Sequence, residues 1–65
     1  MNADDMHDID YIDLSIDQGD YENAAILAMK AARRASDERL AAHLASDALT
    51  LSSLALAQEY RKARR

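Results

Sequence analysis

Histidine and aspartate residues occur in two combinations that could bind a metal ion or move a proton. His43 and Asp47 are four residues apart, so a helix would place them on one face, at a spacing that can ligate a metal. His7 stands within an acidic cluster made of Asp4, Asp5, Asp8 and Asp10. Two ligands on one helix do not form a metal site, and the cluster lacks the internal glycine and closing glutamate of a calcium loop. We therefore expect a surface polar pair and a solvated acidic segment, with no metal and no cofactor.

Catalytic chemistry has little support elsewhere in the chain. The 65 residues include no cysteine, and the two histidines are far apart in sequence, so no pairing of a nucleophile with a base is indicated. We expect that the protein is not an enzyme. Without cysteine the chain forms no disulfide, which fits a reducing compartment.

Localisation is predicted from the absence of two sequence features, a membrane span and a secretory signal. No segment approaches the ~18 consecutive apolar residues that a membrane span requires. Residues 1–22 hold eight acidic residues and neither lysine nor arginine, a composition that excludes a secretory signal. We expect a soluble cytoplasmic protein with no membrane partner.

Charge is distributed unevenly along the chain. Residues 1–22 hold seven aspartates and Glu22, whereas residues 23–65 hold all eight lysine and arginine residues. Three interpretations remain open: the two parts neutralise each other within one chain, the acidic part binds a basic partner, or two copies associate head to tail. Nucleic-acid binding is not favoured, because the net charge is −4 and no aromatic residues alternate with the basic ones.

The first of three predicted helices covers about residues 5–18, with residues 1–4 frayed. Ile9, Ile12 and Ile16 follow the i, i+3, i+7 spacing of one helix face. An adjacent face carries an acidic row with the same spacing, formed by Asp10, Asp13 and Asp17. We expect this acidic row to influence the choice of partner.

A tight turn separates the first helix from the second, predicted at about residues 21–35. Gly19, the only glycine, fits the left-handed position that ends a helix, and Asp20 fits the N-cap of the next. The second helix carries an apolar face made of one tyrosine and six alanines: Tyr21, Ala24, Ala25, Ala28, Ala31, Ala32 and Ala35. Such a face allows close helix packing. Ile26 points to the polar side, either as a lone exposed residue or as a contact with another chain.

The third predicted helix covers about residues 37–61, with Ser36 as its N-cap. It carries two apolar ridges: Leu40, Leu44, Leu51 and Ala55 form one, and Ala45, Leu49, Leu56 and Ala63 form the other. The ridges span roughly 200°, more than the ~100° that packs against one neighbour. Two shorter helices could cover part of this arc and form a three-helix bundle. The alternative is a helical hairpin with a long third helix, whose uncovered apolar length packs on another copy or a partner.

The turn and second helix resemble a tetratricopeptide repeat. The resemblance rests on Gly19-Asp20-Tyr21, Ala24 and Lys30-Ala31, about 14 residues in all. The chain departs from that pattern at Ile12, where the repeat has a small residue, and at Ser36, near the place of its terminal proline. Gly19, Tyr21 and Ala24 are also similar to the microtubule-interacting-and-transport domain, a three-helix domain of about this length. Both resemblances imply binding of a helical or extended peptide in a groove.

The sequence therefore predicts an all-α, oligomeric interaction or assembly protein. Its expected partner is a helix, from its own copy or another protein, held by apolar and acidic residues: Ile26, Leu40, Leu44, Leu51, Leu56, Asp10, Asp13 and Asp17. The alternative is a regulator that acts on a nucleic-acid-binding protein through the acidic first helix, or on nucleic acid through the basic residues.

Overall fold

The computed structural model describes the backbone of residues 3–64 and the side chains of residues 7–64. It contains three α-helices: α1 (Ala3–Asp17), α2 (Tyr21–Arg34) and α3 (Glu38–Ala63). No strand occurs within residues 3–64, and the prediction of an all-α chain is confirmed. Ala3 and Asp4 are helical, whereas the rest of the predicted frayed segment, residues 1–2, lies outside the described residues.

Gly19 ends α1 in the left-handed region, with φ +74°. Its N–H donates to the carbonyl of Ile16 at 2.9 Å, and the N–H of Asp20 donates to the carbonyl of Ser15 at 2.9 Å. These two bonds form the Schellman motif, which satisfies carbonyl groups left free at a helix end. The Asp20 carboxylate then accepts a hydrogen bond from the N–H of Asn23 and caps α2.

Gly19→Ala is expected to lower the free energy of unfolding by about 1 kcal/mol. Nothing lies within 4 Å of a Cβ built at this position, so the cost comes from placing a residue with a Cβ in the left-handed region. Urea denaturation at one protein concentration measures the difference. Gln18→Ala, one residue earlier, is the control and should stay within about 0.5 kcal/mol of the native chain. Equal stability of the two variants would contradict the left-handed turn.

Helix α3 begins one residue later than its predicted start at Asp37. The Oδ1 atom of Asp37 accepts a hydrogen bond from the N–H of Leu40 at 2.8 Å, so Asp37 is the N-cap. The prediction that Ser36 is the cap was therefore wrong by one residue. Both residue types cap helices well, and the path of the chain between α2 and α3 decides which of them reaches the free N–H group.

Helix α2 lies between the other two and supplies four of the eight apolar core residues that the structure describes. Its buried face consists of alanines, and Ala24 and Ala28 have no exposed surface. The core is completed by Ile12 from α1 and by Leu44, Ala48 and Leu51 from α3. Among residues 3–64, no Cα atom of α1 comes within 8 Å of a Cα atom of α3. Helices α1 and α3 therefore pack chiefly on α2.

Polar contacts tie the helices together at their edges. Asn23 on α2 donates a hydrogen bond to the hydroxyl of buried Ser15 on α1 at 2.9 Å. Arg34 and Asp8 form an ion pair of 2.8 Å between α2 and α1. Gln58, near the end of α3, donates to the carbonyl of Gly19 at 2.9 Å. Because Gly19 lies just before α2 begins, this contact shows that α2 and α3 run in opposite directions.

Candidate protein-binding surface

Most of the surface of α3 is exposed. Of its 26 residues, Leu44, Ala48 and Leu51 are buried. Helix α3 is about 39 Å long and α2 about 21 Å at 1.5 Å per residue, so α2 covers only part of α3. Large apolar side chains of α3 remain uncovered by α1 and α2, and Leu49 and Leu56 are 74% and 62% exposed.

A groove of about 950 Å³, here called the α2–α3 groove, runs between the exposed sides of these two helices. Its apolar wall is formed by Ile26 and Met29 on α2 and by Leu56 on α3. Ile26 and Met29 are 42% and 45% exposed, so the described residues leave this wall open to solvent. The rim is charged and includes Glu22, Glu59, Arg61 and Lys62.

A smaller cleft of about 320 Å³ separates α1 from α3. Its lining is mainly apolar and includes Ile9, Ile12, Ile16, Leu44 and Leu51. Asp13, His43 and Asp47 add polar groups. The α1–α3 cleft therefore contains the predicted His43/Asp47 pair next to part of the core.

His43 and His7 each contact a neighbouring residue of their own helix at the protein surface. His43 Nε2 lies 3.5 Å from Asp47 Oδ2, and both side chains are well exposed. The His7 ring packs edge-on against Tyr11, with ring centroids 4.7 Å apart. No group of three metal-type ligands is assembled by the side chains of residues 7–64, and the side chains of Asp4 and Asp5 lie outside that range.

The structure divides the predicted partner-binding leucines into two groups. Leu44 and Leu51 are only 4% and 5% exposed, because they pack in the core that α2 forms with its neighbours. Leu40 is partly buried against the same core. Leu56 is exposed and reaches the α2–α3 groove, together with Ile26. Only Leu56 and Ile26 from this apolar set are therefore well exposed to a partner of the folded monomer.

The acidic row of Asp10, Asp13 and Asp17 is exposed on α1. Asp13 also lines the α1–α3 cleft, whereas the α2–α3 groove is lined by none of the three. The acidic row and the groove are thus separate surfaces. A role of the row in partner choice stays a prediction.

Two exposed residues were missed as partner-binding candidates. Met29 lies three residues after Ile26, on the same side of α2, and lines the groove with it. Leu49 lies seven residues before Leu56, so a helix presents both in one direction. The spacing was visible in the sequence, but it did not show which apolar residues α2 would leave uncovered.

Helix α3 is also long and apolar enough to span a membrane by length and composition. An 18-residue window within it has a mean hydropathy of 1.3, and 17% of that window is buried. A long apolar helix with so little of its surface covered is suited to contact with another apolar surface. Length and composition alone do not distinguish a protein from a bilayer.

Comparison of the chain with protein-family models, curated proteins and solved structures finds no match. The structure itself defines the class, an all-α chain of three helices. The similarities to a tetratricopeptide repeat and to the microtubule-interacting-and-transport domain stay predictions from the residues of the turn and α2.

Proposed function

We propose that this chain is a non-enzymatic interaction protein that binds a helix in the α2–α3 groove. The observation that carries the proposal is the joint exposure of Ile26, Met29 and Leu56 along one groove. Full burial of an exposed apolar side chain of this size contributes about 1.5–3 kcal/mol, and a partner that covers these three half-exposed side chains gains roughly half of that from each. The helix comes from a second copy or from another protein.

A helix is the element that suits this groove best. The groove lies between two antiparallel helices, and a further helix packs on such a pair at about 8–10 Å between axes. An amphipathic helix would place its apolar face against Ile26, Met29 and Leu56 and keep its polar face in water. Small residues of the groove, such as Ala55 and Ser52, allow a close approach.

The rim of the groove carries charges of both signs, and Lys62 Nζ forms an ion pair of 3.6 Å with Glu59 Oε1 within α3. Glu22 and Glu59 carry negative charge, and Arg61 and Lys62 carry positive charge. Charges at the edge of an interface act mainly on specificity and on the rate of association. We therefore expect the partner helix to present both signs of charge at its edges.

A membrane-spanning role for α3 is less well supported than a protein-binding role. Asp47 lies within the helix, and a charged aspartate at the centre of a spanning helix costs about 2.5–3.5 kcal/mol. Leu44 and Leu51 pack with α2, and insertion of α3 into a bilayer would remove these contacts. Binding of protein uses the exposed side of α3 and leaves the core intact.

The double substitution Ile26→Asp with Leu56→Asp is expected to abolish binding at the groove. Two measurements test this together. If the groove is occupied, sedimentation should give a mass above 7.2 kDa, and if the groove is open, an apolar dye should bind in it and fluoresce. Either signal should be lost in the double variant, since two carboxylates in the apolar wall oppose its desolvation.

Leu14→Asp is the matched control, because Leu14 is 50% exposed on α1, outside the groove. This variant should keep the signal of the native chain, and circular dichroism should show equal helix content in all three proteins. A chain that remains a 7.2 kDa monomer and binds no apolar dye contradicts the proposed function.

A second candidate function uses the acidic row on α1. Asp10, Asp13 and Asp17 are exposed, and the last turn of α1 carries no basic residue, so this face could bind a basic nucleic-acid-binding protein. Asp13→Lys should then weaken binding of a basic protein at low salt. If Asp13→Lys has no effect on such binding, this second function is excluded and the groove proposal is unaffected.

A further inference from the structure

We propose that a second copy of this chain covers the α2–α3 groove at its Leu56 edge, with the two α3 helices antiparallel about a two-fold axis near Ser52 and Ser53. The proposal rests on the proposed function and names its partner. In this dimer, Leu49 and Leu56 of one copy cluster with Leu49 and Leu56 of the other. Ile26 and Met29 of each copy lie beside this cluster.

The first support is an exposed ridge with a seven-residue repeat. Ala42, Leu49, Leu56 and Ala63 recur every seven residues along α3, and all four are exposed. A seven-residue spacing keeps residues on one face of a helix and supplies one of the two apolar positions in each heptad of paired helices. The two leucines are central in the ridge and the alanines lie at its ends, so a symmetric antiparallel partner brings leucine to leucine.

The second support is the small core of the single chain. Ile12, Leu44 and Leu51 are its only buried large apolar residues among those that the structure describes, and the remaining core residues are alanines. A chain of this length is near the limit for independent folding, and association of subunits is one of the ways in which small folds gain stability. Covering Ile26, Met29, Leu49 and Leu56 more than doubles the number of large apolar residues that are removed from water.

The third support is the charge distribution along α3. The start of α3, counted from its N-cap, has a net charge of −1 and its end has a net charge of +2, from these residues: Asp37, Glu38 and Arg39 at the start, and Glu59, Arg61, Lys62 and Arg64 at the end. Antiparallel pairing places the basic end of each α3 toward the acidic start of the other, and it opposes the two helix dipoles. Parallel pairing would place like charges together at both ends.

The hydroxyl of Ser53, near the proposed axis, is compatible with burial. The Ser53 hydroxyl donates a hydrogen bond to the carbonyl of Leu49 at 3.1 Å. A hydroxyl that is satisfied within its own helix can enter an interface without a desolvated, unpaired donor. Ser52 and Ser53 are also small, so they leave room for the leucines of the second copy.

Cysteine crosslinking tests the arrangement, because the native chain has no cysteine. Ser53→Cys is expected to form a disulfide-linked dimer of twice 7.2 kDa under mild oxidation, since the two copies of residue 53 meet near the axis. Leu54→Cys is the matched control. Leu54 is exposed, but its side chain points about 100° away from that of Ser53 around the helix axis. Leu54→Cys should therefore stay uncrosslinked at the same protein concentration.

Sedimentation of the native chain supplies an independent measurement. We expect a dimer that dissociates on dilution, and Leu56→Asp should raise its dissociation constant at least about 30-fold, as expected for a central interface residue. Leu54→Asp should change the constant less than threefold. The crosslinking variants keep the ridge leucines, so they test the proposal even if Leu56→Asp fails to fold.

Three results would overturn the self-pairing. One is equal crosslinking of Ser53→Cys and Leu54→Cys, and another is a native chain that floats with lipid vesicles yet sediments as a monomer in buffer. The third is a monomer at every concentration that still binds an apolar dye in the groove. That third result rejects the second copy as occupant but leaves the proposed function in place.

Discussion

Leu44→Ala is expected to lower the free energy of unfolding by about 2–5 kcal/mol. The Leu44 side chain is buried between α2 and the α1–α3 cleft, and its truncation removes apolar contacts and leaves a void beside that cleft. A chain of 65 residues has a total stability of only about 3–10 kcal/mol, so the variant should lose a large fraction of it. Urea denaturation followed by circular dichroism measures the loss.

Leu54→Ala is the control for Leu44→Ala, because it makes the same chemical change on the same helix. Leu54 is 42% exposed, so its truncation should cost less than about 1 kcal/mol. Both proteins must be compared at one concentration, because association would add to the apparent stability of each. Equal losses in the two variants would show that α3 does not pack on α2 through Leu44.

Ala28→Leu is expected to have the second large effect, a loss of about 1–3 kcal/mol. Ala28 has no exposed surface and lies on the face of α2 where close packing requires small side chains. The added carbon atoms of leucine would push a neighbouring helix outward or force strained rotamers. The melting temperature and the helix content of the variant measure this loss.

Ala57→Leu is the matched control for overpacking. Ala57 is an exposed residue of α3, and alanine and leucine have similar helix propensities, so this change should shift stability by less than about 0.5 kcal/mol. A stabilised Ala28→Leu protein would mean that the space beside Ala28 is unfilled, contrary to the packing of α2 against both neighbours.

Local features of the fold were predictable from short stretches of sequence. The glycine and aspartate of the first turn act within a few residues of each other, because the Schellman motif and the N-cap both satisfy backbone groups of adjacent helix ends. The alanine face of α2 was predictable for the same reason, since helix periodicity alone places Ala24, Ala28 and Ala31 on one side. The start of α3 was less certain, because Ser36 and Asp37 are both good caps.

Which of the predicted partner-binding residues are exposed depends on contacts between helices, and the periodicity of the sequence does not reveal these contacts. Leu44 and Leu56 belong to one broad apolar arc of α3, and nothing in their spacing shows which of them meets α2. The structure buries Leu44 and leaves Leu56 in the groove. Likewise, Asp8 of the acidic α1 forms an ion pair with Arg34 at the basic end of α2, but the acidic row remains exposed.

The sequence by itself determined that this chain forms helices, where the first turn occurs, which side of α2 is small and apolar, and that α3 carries more apolar surface than one neighbour covers. These properties follow from interactions between residues close in sequence. Only the tertiary structure decided that α2 lies between α1 and α3, that Leu44 and Leu51 belong to the core, and that Ile26, Met29, Leu49 and Leu56 stay exposed. Which residues are buried depends on how far three helices of unequal length can cover one another. This is a property of their packing, and helix periodicity does not specify it.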